Sequence, residues 1–194
     1  MRTSATRRSL LDAAVEVLVE NGYSKFSVAA VADRAGMTTG ALFYNFHNRS
    51  EFIAEMCKYL FDLLEKEFIS ESISGLSHPG DRAAALVDAL WKLYCDPRMR
   101  AALELYGVSR TDPELAKLLA EIDQSRSPRH VEIAAELIGA NAADSTRLSA
   151  VVHVVVLAIQ GMALDQLTGG NLSTTDEVLS LLRELARGLV EIPR

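Results

Sequence analysis

Apolar residues recur at intervals of three and four along almost the whole chain, and the alternation of a half-buried strand is hard to find. Over residues 4–21, Leu10, Ala14, Val15, Val17 and Leu18 form one stripe, which Gly22 ends. A longer stripe over about 48–71 runs through Phe52, Met56, Leu60, Leu64 and Phe68. It opens on Asn48-Arg49-Ser50-Glu51, in which Asn48 caps and Glu51 reaches back. A helix is predicted over 81–94. Asp96-Pro97 and Asp112-Pro113 then start two more, each an Asp cap followed by a proline where no N–H is needed. Pro128 lies inside the second of these and predicts a kink or a break.

The most apolar helix is predicted over 145–168. Its run Ala150–Ile159, AVVHVVVLAI, is rich enough in β-branched residues to suit a buried strand, but its setting in a long helical chain argues for helix. That run is too short, and too closely flanked by polar residues, to span a bilayer. A helix apolar nearly all round needs cover on more than one side. Thr174-x-x-Glu177 is a capping box that opens the last helix, to about Glu191. Loops are expected at 70–80, 141–144 and 168–173. The pattern predicts an all-α chain of about nine helices.

Residues 27–49, SVAAVADRAGMTTGALFYNFHNR, organise the rest. Ser27 suits an N-cap for a short helix to Ala35, and Gly36 suits a left-handed turn. A second short helix, about 38–45, begins with small polar residues and anchors itself through Leu42 and Phe46. This is the layout of a helix-turn-helix, whose second helix enters a DNA major groove N-terminus first.

At AGMTTGALFYNFHNRSEF the chain resembles the tetracycline-repressor (TetR) family of regulators, over about its first quarter. Ala35, Gly36, Thr38, Gly40, Leu42, Phe46, Asn48, Arg49 and Phe52 fit the family pattern or replace it conservatively. There are two departures. Phe43 stands where the family has a phosphate-contacting tyrosine, and Tyr44 beside it is a candidate to supply the hydroxyl. Arg49 replaces a lysine and keeps the charge, with a planar fork of donors. The resemblance implies a head over residues 1–48 that reads DNA and a helical domain over 49–194 that dimerises and binds an effector. Expected base-edge contacts are Thr38, Thr39, Ala41 and Tyr44, with Gly40 and Phe43 on the same surface. Expected phosphate contacts are Ser27, Asn45 and Arg49. The resemblance also implies a dimer interface on the last two helices, with Val152, Val155, Ile159, Met162, Leu182, Leu185 and Leu189 as candidates. Trp91, Tyr94, Cys95, Met99, Leu103 and Tyr106 read either as core or as the wall of a small-molecule pocket. The resemblance favours the pocket, and Trp91, Tyr94, Met99, Leu103 and Tyr106 are its candidates.

Charge changes one part of this picture. A net charge of −6 looks wrong for a DNA binder. Residues 1–49, however, hold six Lys/Arg against four Asp/Glu, and the remainder fourteen against twenty-two. The basic excess is confined to the segment with the motif. Arg2, Arg7 and Arg8 form either a frayed terminus or an arm that tracks phosphates. Cys57 and Cys95 lie in helical patterns, as buried thiols of a reduced protein do. His47 and His78 are expected at the surface, and His153 hydrogen bonded in an interior or an interface. No catalytic triad, phosphate loop, paired carboxylates or metal-ligand spacing is found, so neither a catalytic residue nor a cofactor is expected.

The sequence reading is a cytoplasmic, homodimeric regulator, a repressor, of a palindromic double-stranded DNA operator, released by a small molecule and without a membrane partner. Two other classes compete with it. An all-helical enzyme needs a polar catalytic cluster. A binding protein without DNA function makes the polar start of the second short helix a coincidence.

Overall fold

The computed structural model describes residues 2–72, 78–138, 145–167 and 174–190. The loops expected at 141–144 and 168–173 lie outside these, as does the middle of the 70–80 loop. The described residues form nine α-helices and one 3-10 turn: α1 (Arg2–Asn21), the turn Tyr23–Lys25, α2 (Val28–Arg34), α3 (Thr39–Asn45), α4 (Arg49–Ser72), α5 (Pro79–Cys95), α6 (Pro97–Ser109), α7 (Pro113–Ile138), α8 (Ser145–Leu167) and α9 (Thr175–Val190). Among them is no strand; Ala150–Ile159 is helical.

The capping chemistry explains most of the boundaries. Ser27, Thr38 and Asp112 each accept a backbone N–H three residues on, at 3.0–3.1 Å. Asn48 accepts from Glu51 N–H at 2.8 Å. Glu51 reaches back one residue further than a capping box requires, to the His47 N–H at 2.9 Å. α5 starts earlier than predicted because His78 Nδ1 accepts from Gly80 N–H at 3.2 Å, with Pro79 in the first turn, where it loses no bond. Pro128 does not break α7, which continues through it as one helix. A proline removes a single N–H from the ladder, and the turns on either side hold the rest.

The chain packs as two compact units. The first is residues 1–65 with 97–122, and the second is 66–96 with 123–194. Packing therefore groups α6 and the start of α7 with the N-terminal helices, whereas the functional division expected from the sequence falls at residue 48. In the first unit, Leu10, Leu18, Leu42, Phe46, Phe52 and Met56 are fully buried. Phe52 meets Phe46 edge-on, with ring centroids 5.0 Å apart, and stacks near Phe26 at 6.1 Å. Cys57 is buried beside them, and burial pushes its thiol up to about 12. In the second unit α9 packs along α5, and α8 against both. Val87, Ile138, Val155, Ile159, Leu179 and Leu182 belong to its core.

Candidate nucleic-acid interface

α2 and α3 meet through a tight turn. Gly36 sits at φ 63°. Its N–H donates to the Asp33 carbonyl at 3.0 Å, and Met37 N–H donates to the Ala32 carbonyl at 2.8 Å. These two bonds satisfy the last carbonyls of α2 in the manner of a Schellman motif, which needs a left-handed residue at that position. Val31, Ala32, Leu42 and Phe46 bury the inner faces of the pair.

The outer face of α3 presents Thr39, Gly40, Phe43 and Tyr44 to solvent. Tyr44 is 84% exposed and Phe43 44%. Both project beside the polar N-terminus of α3. Thr38 is exposed too, but its hydroxyl oxygen accepts the Ala41 N–H; what it offers outward is its hydrogen and its methyl. Ser27 is engaged in the same way by the Ala30 N–H. Ala41 is half-buried.

Asn45, expected as a phosphate contact, is half-buried and partly engaged within α3. Its Nδ2 donates back to the Ala41 carbonyl at 2.8 Å, and its Oδ1 is buried without a partner. The oxygen, an acceptor, has nothing to give to a phosphate; the second N–H of the amide is the only donor left to it. Arg49 remains exposed at the start of α4. Burial pushes the nearby Tyr23 hydroxyl up, and the Arg49 guanidinium beside it opposes that.

The N-terminal segment is not a free arm. α1 is helical from Arg2, and Arg7 works inside the fold. Its Nη1 donates to the Asn45 carbonyl at the end of α3 at 2.6 Å, and its guanidinium lies 4.3 Å from the Phe46 ring centre. It also pairs with Glu55 at 3.1 Å and, more distantly, with Glu51 at 3.8 Å. Arg7 thereby ties α1, the end of the recognition helix and α4 together. Arg34 is likewise engaged by Glu20 and Glu16 of α1, which raise its pKa and lower that of Glu20. The sequence reading also missed Lys25, exposed on the 3-10 turn ahead of Ser27, and Glu104 of α6. Glu104 accepts the Tyr23 N–H at 2.9 Å and lies against Gly22 at φ 69°.

The expected ligand-wall residues are divided between the two units. Trp91 and Tyr94 belong to the second unit, where they pack half-buried against its core, and burial pushes the Tyr94 hydroxyl up to about 12. Met99 and Leu103 are core residues of the first unit, with Tyr106 edge-on to Phe61.

The expected dimer face is also corrected in part. Val155, Ile159 and Leu182 are buried inside the second unit's own core. Val152 and Met162 are half-buried, Leu185 is 42% exposed, and the Leu189 side chain lies outside the described residues. The open apolar residues of α8 are instead Val154, Leu157, Leu164 and Leu167, with Leu181 and Leu185 on α9. His153 is on this open side of α8, its Nδ1 2.7 Å from the Ser149 carbonyl, to which it donates. The 22-residue stretch Thr146–Leu167, which holds an 18-residue window of mean hydropathy 1.8, is long and apolar enough to cross a bilayer by those measures; the ten-residue run alone understated it.

A helix-turn-helix with an open polar recognition surface, joined to an all-helical remainder, defines a DNA-binding transcriptional regulator. Residues 10–56 match the model for bacterial regulatory proteins of the tetR family, and residues 77–191 match that for the tetracyclin repressor-like C-terminal domain. The chain belongs to the TetR family, whose members are transcriptional regulators rather than enzymes. Among its relatives is an uncharacterized HTH-type transcriptional regulator of Mycobacterium tuberculosis strain H37Rv, 26% identical over 165 residues, which cover 84% of this chain and 83% of the relative. A protein of Escherichia coli K12 named as a probable acrEF/envCD operon repressor is 32% identical over 74 residues, 38% of this chain and 33% of its own. The fold is that of a TetR transcription regulator from Haloarcula marismortui, at a TM-score of 0.70 and 18% identity over 95% of this chain and 98% of that one.

Proposed function

We propose that the chain is a cytoplasmic repressor that binds a palindromic operator as a homodimer and leaves it when a small molecule binds the C-terminal domain. The observation that carries the DNA part is the outer face of α3. Thr39, Gly40, Phe43 and Tyr44 are open there, while both capping hydroxyls and the buried face fix the helix in place. Thr38, Thr39, Ala41 and Tyr44 read base edges, and Arg49 and Lys25 hold phosphates. The functional head is residues 1–48, and the remainder dimerises and binds the effector. The open leucines of α8 and α9 support the dimer, since two copies of one patch form a self-complementary interface. They also support reading α8 as an interface helix rather than a membrane span. Two heads on one dimer meet half-sites a whole number of helical turns apart, hence the palindrome. The repressor's named relative supports the sign of regulation. Release is a population shift, in which a ligand preferring the DNA-free form withdraws protein from the operator.

A mobility-shift assay with DNA from upstream of the chain's own gene tests this. The expected result is a shift at nanomolar protein that survives excess unrelated DNA and maps to a palindrome. Equal binding to unrelated DNA at physiological salt removes the sequence-specific reading.

A further inference from the structure

The second unit contains a cleft of about 70 Å³ lined by α5, α7, α8 and α9, with Phe68 from the end of α4. Every residue that lines it is apolar, among them Val87, Leu90, Ala134, Val151 and Val155. No side chain there donates or accepts a hydrogen bond. A polar group drawn inside loses its water and gains nothing in return, so the wall selects against charge and hydroxyl alike. Size sets the second limit. The cleft is about half the ~150 Å³ of a dry cavity that holds benzene. It has room for a few carbons, not for a ring. It is partly open to solvent, so a longer molecule can leave its polar end in water.

The geometry points to the short end of an uncharged hydrocarbon chain as the group this cleft takes, with the polar head of the ligand outside it. Trp91, Tyr94 and the other aromatic candidates are not part of this wall. The inference deepens the effector reading above and depends on it only for its regulatory meaning.

The test uses the full chain, methyl-labelled for NMR, with 1-hexanol and 1,6-hexanediol as probes. 1-Hexanol is expected to shift the methyl signals of Val87, Val151 and Val155 saturably. The diol, which has no apolar end, is expected to bind at least tenfold more weakly. Ala134→Leu, which fills the cleft from α7, is expected to weaken 1-hexanol at least tenfold. Val151→Thr keeps the shape and adds a hydroxyl, and serves the same purpose if Ala134→Leu does not fold. Absence of a saturable shift at these methyls overturns the inference. So does a diol that binds as well as the alcohol, or affinity indifferent to both substitutions. A mobility shift run with 1-hexanol separates the two readings. Binding at these methyls without release of DNA upholds the cleft and removes the effector part of the proposed function. Release without binding at these methyls overturns the cleft.

Discussion

Leu157 and Val155 lie two residues apart on α8 and should fail in different ways. Leu157 is 65% exposed and Val155 4%. Fully burying a leucine side chain contributes about 1.5–3 kcal/mol, so covering the open part of Leu157 contributes about 1–2 kcal/mol. A two-fold interface presents the residue twice, giving about 2–4 kcal/mol, or roughly 30- to 1,000-fold in the dimer dissociation constant. Leu157→Ala removes most of that and should leave the protomer's fold intact. Val155→Ala should do the reverse. It deletes buried methyl groups and leaves a cavity, which lowers stability by about 1.5–3 kcal/mol. Sedimentation equilibrium gives the dimer constant. Thermal melts at protomer concentrations low enough to dissociate the dimer give the fold without the mass-action term. A Leu157→Ala dimer constant within threefold of the parent's would refute the assignment of this face. Val155→Arg is a poor test, because a charge inside the second unit's core unfolds it whatever the dimer does.

Arg49→Ala should weaken all DNA alike and reduce the slope of log affinity against log salt by about one, the release of one counterion. Arg7→Gln should weaken DNA with the salt slope unchanged, since Arg7 holds α3 rather than a phosphate; a changed slope would place Arg7 on the DNA. At Gly40 the nearest atom to an added Cβ is Thr38 Oγ1 at 3.7 Å, so Gly40→Ala fits. Melts should show equal or higher stability, by up to about 1 kcal/mol, while operator affinity falls if the backbone approaches the groove closely; unchanged affinity removes Gly40 from the interface. Tyr44→Phe should cost about 1 kcal/mol of binding on every sequence if the hydroxyl meets a phosphate, and should fall on one operator position if it meets a base. Phe43→Tyr should tighten all DNA alike if only a hydroxyl is missing there. The His47 N–H, and then its ring, hold the Glu51 carboxyl below its ordinary value. That contribution is present above the unfolded pKa and is lost as pH falls through the lower folded one, so acid melts of Glu51→Gln should lose less stability below about pH 4 than the parent does.

The parts of the fold legible in the sequence were those fixed locally. Ser27, Thr38, Gly36 and the Asp-Pro pairs act within three residues of themselves, and each sits where its own chemistry puts it. The inward face of α8 was not legible, because AVVHVVVLAI is apolar in every direction and periodicity cannot distinguish core from open surface. Val155 and Ile159 were placed outward for that reason. α9 carries a clear polar face, yet Leu182 still proved to be core, since a stripe names a buried face without naming what buries it. The Arg7 clamp depends on three segments far apart in sequence, an arrangement that leaves no trace in spacing.

The recognition helix, TGALFYN, has no charged side chain at neutral pH. Attraction to the duplex must come from residues that flank it, and choice among sequences from residues that add nothing to that attraction. The two properties are therefore separable by genetics. With Thr39 on a base edge, as proposed, replacing it changes which operator is chosen while the time spent on arbitrary DNA between encounters stays constant. Altering the flanking cations changes how long the protein lingers during its search, with its preference left in place. A family of variants with new operators could be selected on this scaffold without readjusting its copy number in the cell, because non-specific occupancy would be common to them all.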